Sequence, residues 1–204
     1  MINFKKELKK ELYSRWGDIK YPSEWDGNFF GGGKGSQRFW EYLWTIEQLN
    51  SSKKIFDVGC GQSKFFPRLL EKNIAYVYAC DPQIEYEKGR NTVYIKGTLE
   101  ECFDKIPYNN NFNTITCVSV LEHIEDHTLI CKYLSKFTTS RIICTLEYGF
   151  TPRAFNYQVI PQVLYKFFSM MPNHYIEKME LCPVYCEDSH NGYWRPLGIV
   201  LDPK

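Results

Sequence analysis

The feature that most constrains the fold is an alternation of strand-like, turn-like and helix-like segments that begins near residue 53. Five apolar runs have the length and residue content of buried strands, and they lie at 53–58, 75–80, 92–96, 112–118 and 140–146. Helical patterns separate several of them, for example at 64–72 and 121–137. This order predicts a mainly parallel, doubly wound α/β sheet whose ligands bind outside the carboxyl ends of the strands.

Two helices are predicted ahead of this region, at 3–16 and 36–49, with Ser36 as the N-cap of the second. The first combines an apolar stripe with four lysines, which indicates either packing against the domain or contact with an anionic membrane surface. The loop between the helices ends in the glycine-rich run 31–35, which we interpret as the hinge of a mobile lid. The N-terminal part of the chain is therefore expected to be helical, with a lid.

The rhythm changes again after residue 150. An apolar and aromatic stretch predicts a helical insertion at about 150–172, which either lines an acceptor pocket or belongs to the core. Two strand-like runs follow, near 175–182 and 193–201, and they are close enough to pair as an antiparallel edge.

Composition and charge exclude several classes of protein. Lys plus Arg is 25 and Asp plus Glu is 24, so a net charge of +1 gives no global attraction for a nucleic-acid backbone. No run approaches the roughly 20 apolar residues that span a bilayer, and the first residues lack the apolar core of a secretory signal. A cytoplasmic location is therefore expected, and the eight cysteines are expected to be reduced.

The sharpest motif is a glycine turn at the end of the first predicted parallel strand. It reads Asp57-Val-Gly59-Cys-Gly61, and its two glycines let the backbone turn tightly and approach a ligand closely. The nicotinamide-type fingerprint needs a third glycine at position 64, where this chain has Lys. An acidic residue at the strand end also suits a cationic ligand better than a phosphorylated one. These features disfavour an NAD-dependent oxidoreductase.

A second acidic residue follows the second predicted strand. Asp81 lies 20 residues after Gly61, at a position where a carboxylate can accept hydrogen bonds from both hydroxyls of a ribose. A third motif follows the fourth strand, where Ser119 is followed by Val-Leu-Glu122-His123.

Together the three motifs resemble the class I S-adenosylmethionine-dependent methyltransferases, and in particular the small-molecule group whose fourth strand ends in Val-Leu-Glu-His. The resemblance covers about 51–146. It implies S-adenosylmethionine as the cofactor and a Rossmann-like, seven-stranded sheet that is mostly parallel with an antiparallel last strand. On this basis the chain divides into an N-terminal segment with a lid, 1–50, and a methyltransferase domain, 51–204.

The resemblance also implies which residues hold the cofactor. The glycine turn passes the methionine part and Asp57 holds that turn and the ammonium group, while Asp81 binds the ribose. The implied cofactor-binding residues are Asp57, Gly59, Cys60, Gly61, Asp81, Pro82, Gln83, Thr98, Leu99, Ser119 and Leu121.

The reaction itself needs few groups, because an in-line methyl transfer depends mainly on positioning. A hydroxyl acceptor also needs a base, and we predict His123 for this role, with capping or packing of the following helix as the alternative. Tyr148 and Arg153 follow the fifth strand and are predicted to face the acceptor. Some family members bind a metal through Glu-x-x-Glu-His, but Ser119 replaces the first Glu here, so no metal is expected.

The sequence therefore predicts an enzyme that methylates a small-molecule or glycan/lipid-linked acceptor, preferentially at oxygen. The alternative is a non-catalytic cofactor-binding or regulatory protein with the same fold, against which the intact glycine turn and Asp81 argue. A nucleic-acid acceptor is disfavoured, because Ser119-Val-Leu-Glu stands where exocyclic-amine methyltransferases have an Asn/Asp-Pro-Pro-aromatic run. No motif identifies the acceptor or the oligomeric state.

Overall fold

The computed structural model describes residues 5–10, 12, 34–50, 54–72, 76–106, 112–124, 126–149, 161–182, 186–188 and 192–204. Its helices are α1 (Lys34–Gln48), α2 (Phe65–Glu71), α3 (Leu99–Phe103), α4 (His127–Leu134) and α5 (Pro161–Ser169). Its strands are β1 (Lys54–Val58), β2 (Tyr76–Asp81), β3 (Glu87–Lys88), β4 (Thr92–Lys96), β5 (Thr114–Val118), β6 (Arg141–Gly149), β7 (His174–Leu181), β8 (Cys186–Asp188) and β9 (Gly192–Pro203). Residues 5–10 and 12 are also helical.

The strands form one sheet in the order β3-β4-β2-β1-β5-β6-β9-β7, and β8 pairs with β9. The five strands β4, β2, β1, β5 and β6 run parallel, whereas β9 is antiparallel to both of its neighbours. The predicted doubly wound, Rossmann-like sheet with an antiparallel last strand is therefore confirmed. The described strands number nine rather than seven, because β3 and β8 are too short to produce a two-residue periodicity in the sequence.

Alternating side chains of the parallel strands enter two hydrophobic clusters, one on each face of the sheet. In β1, Phe56 joins the cluster covered by α3, α4 and α5, while Ile55 joins the cluster covered by α1 and α2. Burial on both faces explains why these strands are continuous apolar runs in the sequence.

The N-terminal helical residues pack on the same cluster as α1. Leu8 and Leu12 are fully buried there, so the apolar stripe of this helix covers the domain. Lys5 Nζ donates a hydrogen bond to the carbonyl of Glu47 at 2.6 Å, and Lys9 forms an ion pair with the Glu47 carboxylate. Peripheral membrane contact stays a prediction, and none of the helices in the described ranges is long and apolar enough to cross a bilayer.

Two predicted helix boundaries were wrong. Helix α1 begins at Lys34, so Ser36 lies inside it and is not its N-cap. The last two residues of the glycine-rich run are thus helical, and the rest of the proposed lid lies outside the described residues. The predicted helix at 121–137 is divided into a single 3-10 turn, Leu121–His123, and α4. Asp126 separates the two, because its carboxylate accepts the first free N–H groups of α4.

The C-terminal part completes the sheet. Strand β9 lies between β6 and β7, so the predicted antiparallel pair is confirmed with β7 at the edge. Helix α5, from the predicted insertion, buries Leu164 and Phe167 in the core and leaves Tyr165 exposed. Its buried face is therefore part of the core.

Candidate functional site

The loop after β1 is held against β2 by its own backbone. The N–H groups of Gly59 and Cys60 donate to the carbonyl of Cys80 at 2.8 and 3.1 Å. Gly59 and Gly61 have φ angles of +73° and +68°, a region that residues with a Cβ seldom adopt. A Cβ on Gly59 would lie 2.4 Å from Val120 Cγ2, whereas nothing lies within 4 Å of the same position on Gly61. Gly59 is therefore required by packing, and Gly61 borders open space that a ligand can occupy.

Asp81 ties this loop to the loop after β2. One carboxylate oxygen accepts the Gly61 N–H at 2.9 Å, and the other accepts the Gln83 N–H at 2.8 Å. The side chain is only half-buried, and each oxygen has a second lone pair. Asp81 can therefore organise both loops and still accept hydrogen bonds from a ligand, with Pro82 and Gln83 exposed beside it.

Asp57 lies beneath the glycine loop instead of on its surface. It is 2% exposed, and one carboxylate oxygen accepts a hydrogen bond from Thr116 Oγ1 at 2.6 Å. Burial raises the pKa of Asp57 to about 7, a rise that the Thr116 hydrogen bond opposes and the nearby Asp81 charge reinforces. Its protonation therefore changes near neutral pH.

The loop after β4 is organised as a helix start. The Thr98 hydroxyl accepts the Glu101 N–H at 3.3 Å, and the Thr98 N–H donates to the Glu101 carboxylate at 2.9 Å. This capping box begins α3. Leu99 is buried in the core, whereas the Thr98 side chain is exposed, and a contact of either residue with adenine stays a prediction.

The loop after β5 carries the other predicted site residues. Ser119 has a φ of +54°, which is uncommon for a residue other than glycine and is found mainly at functional sites. Its N–H donates to the Thr145 carbonyl at 2.9 Å, and its hydroxyl donates to the Glu122 carboxylate. Leu121 is buried in the core, and His123 is exposed.

A buried acidic cluster lies between α1, the end of β5 and the middle of β6, and we define it as Arg38, Glu41, Ser119, Glu122 and Thr145. Glu41 and Glu122 are 3% and 0% exposed. Glu41 accepts a hydrogen bond from Thr145 Oγ1 at 2.9 Å and lies 3.4 Å from Arg38. Arg38 also donates to the carbonyl of Val118 at 3.3 Å, so the cluster fixes α1 onto the carboxyl end of β5 and the middle of β6.

Both carboxyls of the acidic cluster have raised pKa values. Burial, reinforced by the neighbouring Glu41, raises the pKa of Glu122 to about 8. Burial also raises the pKa of Glu41, against the effect of Arg38. The second oxygen of Glu122 is buried and has no hydrogen-bond partner within the part of the chain that the structure describes.

The sequence prediction missed Glu41 and Arg38 as site residues. The available signal was the position of Glu41 on α1, directly after the buried Trp40 and three residues before the buried Trp44. A carboxylate within an apolar helix stripe needs a polar partner in the core.

The remaining predicted residues are placed only in part. Tyr148 lies within β6, since that strand extends to Gly149 and does not end at residue 146 as predicted. Its half-buried side chain packs against the core cluster of α3, α4 and α5. Arg153 lies outside the described residues. Among the residues that are described, no group of three or more metal-binding side chains occurs.

Comparisons with known proteins agree with this geometry. Residues 56–139 match the model of a methyltransferase domain family. Among solved structures, magnesium protoporphyrin IX methyltransferase from Synechocystis, with bound S-adenosylhomocysteine, is 16% identical with a TM-score of 0.58, covering 97% of this chain and 94% of that one. The N-methyltransferase NodS from Bradyrhizobium japonicum is 10% identical with a TM-score of 0.54, covering 84% and 95%. A methyltransferase from Methanosarcina mazei is 13% identical with a TM-score of 0.56, covering 78% and 96%.

At these identities the solved structures show a shared fold. A search of curated sequences gave no significant match. The sheet has the Rossmann-like α/β fold of methyltransferases. The family match extends from β1 to the segment that precedes β6, so the resemblance to the class I S-adenosylmethionine-dependent methyltransferases is confirmed. S-adenosylmethionine is the cofactor that this family uses.

Proposed function

We propose that this protein transfers a methyl group from S-adenosylmethionine to a hydroxyl oxygen of a small-molecule or glycan/lipid-linked acceptor. The observation that carries the proposal is the hydrogen bond between the glycine loop and Asp81. Gly61 adopts a left-handed conformation next to open space, and its N–H is held by the carboxylate predicted to bind the ribose.

The residues present fit the cofactor. The open side of Gly61 leaves room for its methionine part, and the half-buried carboxylate of Asp81 retains lone pairs for two ribose hydroxyls. Asp57 lies two residues before Gly59, and its carboxylate is proposed to hold the loop and, directly or through water, the ammonium group. When bound, the cofactor supplies an electrophilic methyl group on a sulfonium.

Two structural neighbours bear on the acceptor. Their names describe a methyltransferase of magnesium protoporphyrin IX and an N-methyltransferase, so these names do not fix the acceptor of this chain. A hydroxyl acceptor for this chain is supported by the buried carboxyls beside Ser119, since oxygen methylation requires a proton acceptor.

Calorimetric titration with S-adenosylmethionine and S-adenosylhomocysteine, with NAD as the control ligand, tests the cofactor. We expect binding of the first two and none of NAD. Asp81→Ala should weaken cofactor affinity by about 100-fold, because it removes the ribose acceptor and releases the Gly61 N–H. Glu85→Ala is the matched control, since this neighbouring carboxylate is exposed and pairs only with Lys96 on the surface among the described residues.

The acceptor is then sought by incubating the protein with methyl-labelled cofactor and metabolite pools, and by locating the labelled product. Label on an ether or ester oxygen supports the proposal. A protein that binds S-adenosylhomocysteine but transfers no label supports the non-catalytic alternative. Unchanged affinity in folded Asp81→Ala removes the proposed role of that carboxylate.

A further inference from the structure

We propose that Glu122 is the base that accepts the proton of the acceptor hydroxyl, and that Glu41 and Arg38 position and tune it. The inference rests on the proposed function, because it assigns a residue to the same reaction. It depends on three observations: the position of Glu122 beside Ser119, its unpartnered carboxylate oxygen, and the charges that surround it.

The position follows from one hydrogen bond. Ser119 is one of the residues that the family resemblance implies for cofactor binding, and its hydroxyl donates to one oxygen of Glu122. The 3-10 turn Leu121–His123 brings the carboxylate back towards the strand end. The carboxylate is therefore one hydrogen bond away from a residue that we propose to line the cofactor.

The second oxygen of Glu122 is free to accept a proton. It is buried and accepts no hydrogen bond from any side chain or backbone group in the described ranges. An unsatisfied buried carboxylate oxygen is costly, and most buried polar atoms in proteins have a partner. An acceptor hydroxyl that enters the crevice would satisfy this oxygen.

The surrounding charges favour proton uptake. Glu41 from α1 and Glu147 from β6 both act on Glu122 as negative charges, and Arg38 from α1 is the positive group of the acidic cluster. Taking up a proton removes a like-charge repulsion inside the protein. The resulting pKa of about 8 is near the operating pH that general-base catalysis requires.

The step balances without a further reactant. The O–H bond of the acceptor breaks and its proton binds the Glu122 carboxylate. An electron pair of that oxygen forms the bond to the methyl carbon, and the pair of the carbon–sulfur bond stays on sulfur. The protonated carboxyl then returns its proton to solvent.

The neighbouring His123 is less suited to this role. It is exposed at the end of the 3-10 turn, whereas Glu122 is completely buried. The two adjacent residues therefore give a direct test. We expect Glu122→Gln to lower methyl transfer to the acceptor found in the screen by about 100-fold or more, while S-adenosylhomocysteine affinity is retained. His123→Gln should lose much less methyl-transfer activity. Glu100→Gln, on the exposed first turn of α3, serves as the unaffected control.

Two readouts separate a base from a merely structural residue. The rate of the wild type should rise about tenfold per pH unit up to about pH 8, and this slope should be absent in Glu122→Gln. A nitro group makes the hydroxyl of an acceptor analogue more acidic, so the analogue depends less on a base. The loss of methyl-transfer rate in Glu122→Gln should therefore be smaller with this analogue. A loss that is equal for both acceptors overturns the proposal.

A measurement that needs no acceptor completes the test. Infrared difference spectra between pH 6 and pH 9, buffer values that bracket about 8, are recorded in an Asp57→Asn background, because Asp57 also titrates in this range. They should show a buried carboxyl band in that background and with His123→Gln added that is missing when Glu122→Gln is added. Absence of this difference overturns the proposal, as does full activity of Glu122→Gln. A wild type that binds neither form of the cofactor defeats the proposed function instead, and the base role with it.

Discussion

The two halves of the candidate site are built in different ways. At the ends of β1 and β2, backbone N–H groups and one carboxylate form the site, and the partners Gly61 and Asp81 are 20 residues apart. Where α1 packs on β5 and β6, buried side chains form it, and the partners Glu41 and Thr145 are 104 residues apart. The first half is set by a local motif, and the second depends on α1 being docked on the sheet.

This difference indicates how each half can change. The glycine-loop half is constrained by backbone conformation, so it suits a ligand that stays the same. The acidic cluster is constrained by side-chain packing and charge, so single substitutions can alter its chemistry while the sheet is preserved. The following variants test this contrast.

The largest effect is expected at the glycine loop. Gly59→Ala should lower the free energy of unfolding by about 3 kcal/mol, because the new Cβ meets Val120 at 2.4 Å and the φ of +73° disfavours it. Gly61→Ala has a similar φ but no neighbour, so it should cost about 1 kcal/mol. Urea unfolding of both variants measures the difference.

The double variant Gly59→Ala, Val120→Ala supplies the control, since it removes the nearest clashing atoms. It should be more stable than the sum of the two single changes implies. Equal stability of Gly59→Ala and Gly61→Ala would show that packing against Val120 does not constrain the loop.

An intermediate effect is expected in the pH dependence of stability. The folded-state pKa values of Asp57 and Glu122 are raised to about 7 and about 8, above those of unfolded carboxyls. Each group therefore contributes stability that is complete below its unfolded pKa and is lost as pH rises through its folded pKa. The loss is about 1.4 kcal/mol per unit of pKa difference.

Unfolding midpoints measured from pH 4 to pH 9 test this, as these buffer values span the folded pKa values of both groups. Asp57→Asn should remove the part of the decline in stability that ends near pH 7. Glu122→Gln should remove the part that continues towards pH 8. Both variants should gain stability relative to the wild type at high pH. The Thr116 hydrogen bond of Asp57 serves as the internal control, since Thr116→Val should extend the Asp57 decline to higher pH. A flat wild-type profile would contradict the buried acidic cluster.

The smallest effect is expected at the start of α3. Thr98→Ala should cost about 1 kcal/mol of stability, because it removes the hydroxyl that caps the helix. Its effect on S-adenosylhomocysteine affinity should be well below that of Asp81→Ala. Thr98→Ser keeps the hydroxyl and should restore stability, and a loss of affinity as large as that of Asp81→Ala would instead assign the side chain directly to the cofactor.

The five parallel strands were predicted to start within two residues of their observed starts. This accuracy has a physical cause, since strands buried on both faces are uninterrupted apolar runs. The glycine turn was predicted because its two glycines are adjacent in the sequence to the strand that they end. Asp81 was predicted because it directly follows the second strand. The break between Leu121–His123 and α4 was missed, because Asp126 competes with helix continuation only through its side-chain hydrogen bonds.

By itself the sequence determined the doubly wound sheet and the glycine loop, because both depend on periodicity or on neighbours along the chain, which a sequence displays directly. Its resemblance to a methyltransferase family implied the cofactor. Only the tertiary structure decided that Glu41 and Glu122 would share a buried site. Burial and proximity across more than one hundred positions arise from packing α1 onto the sheet, and that packing sets the pKa of Glu122.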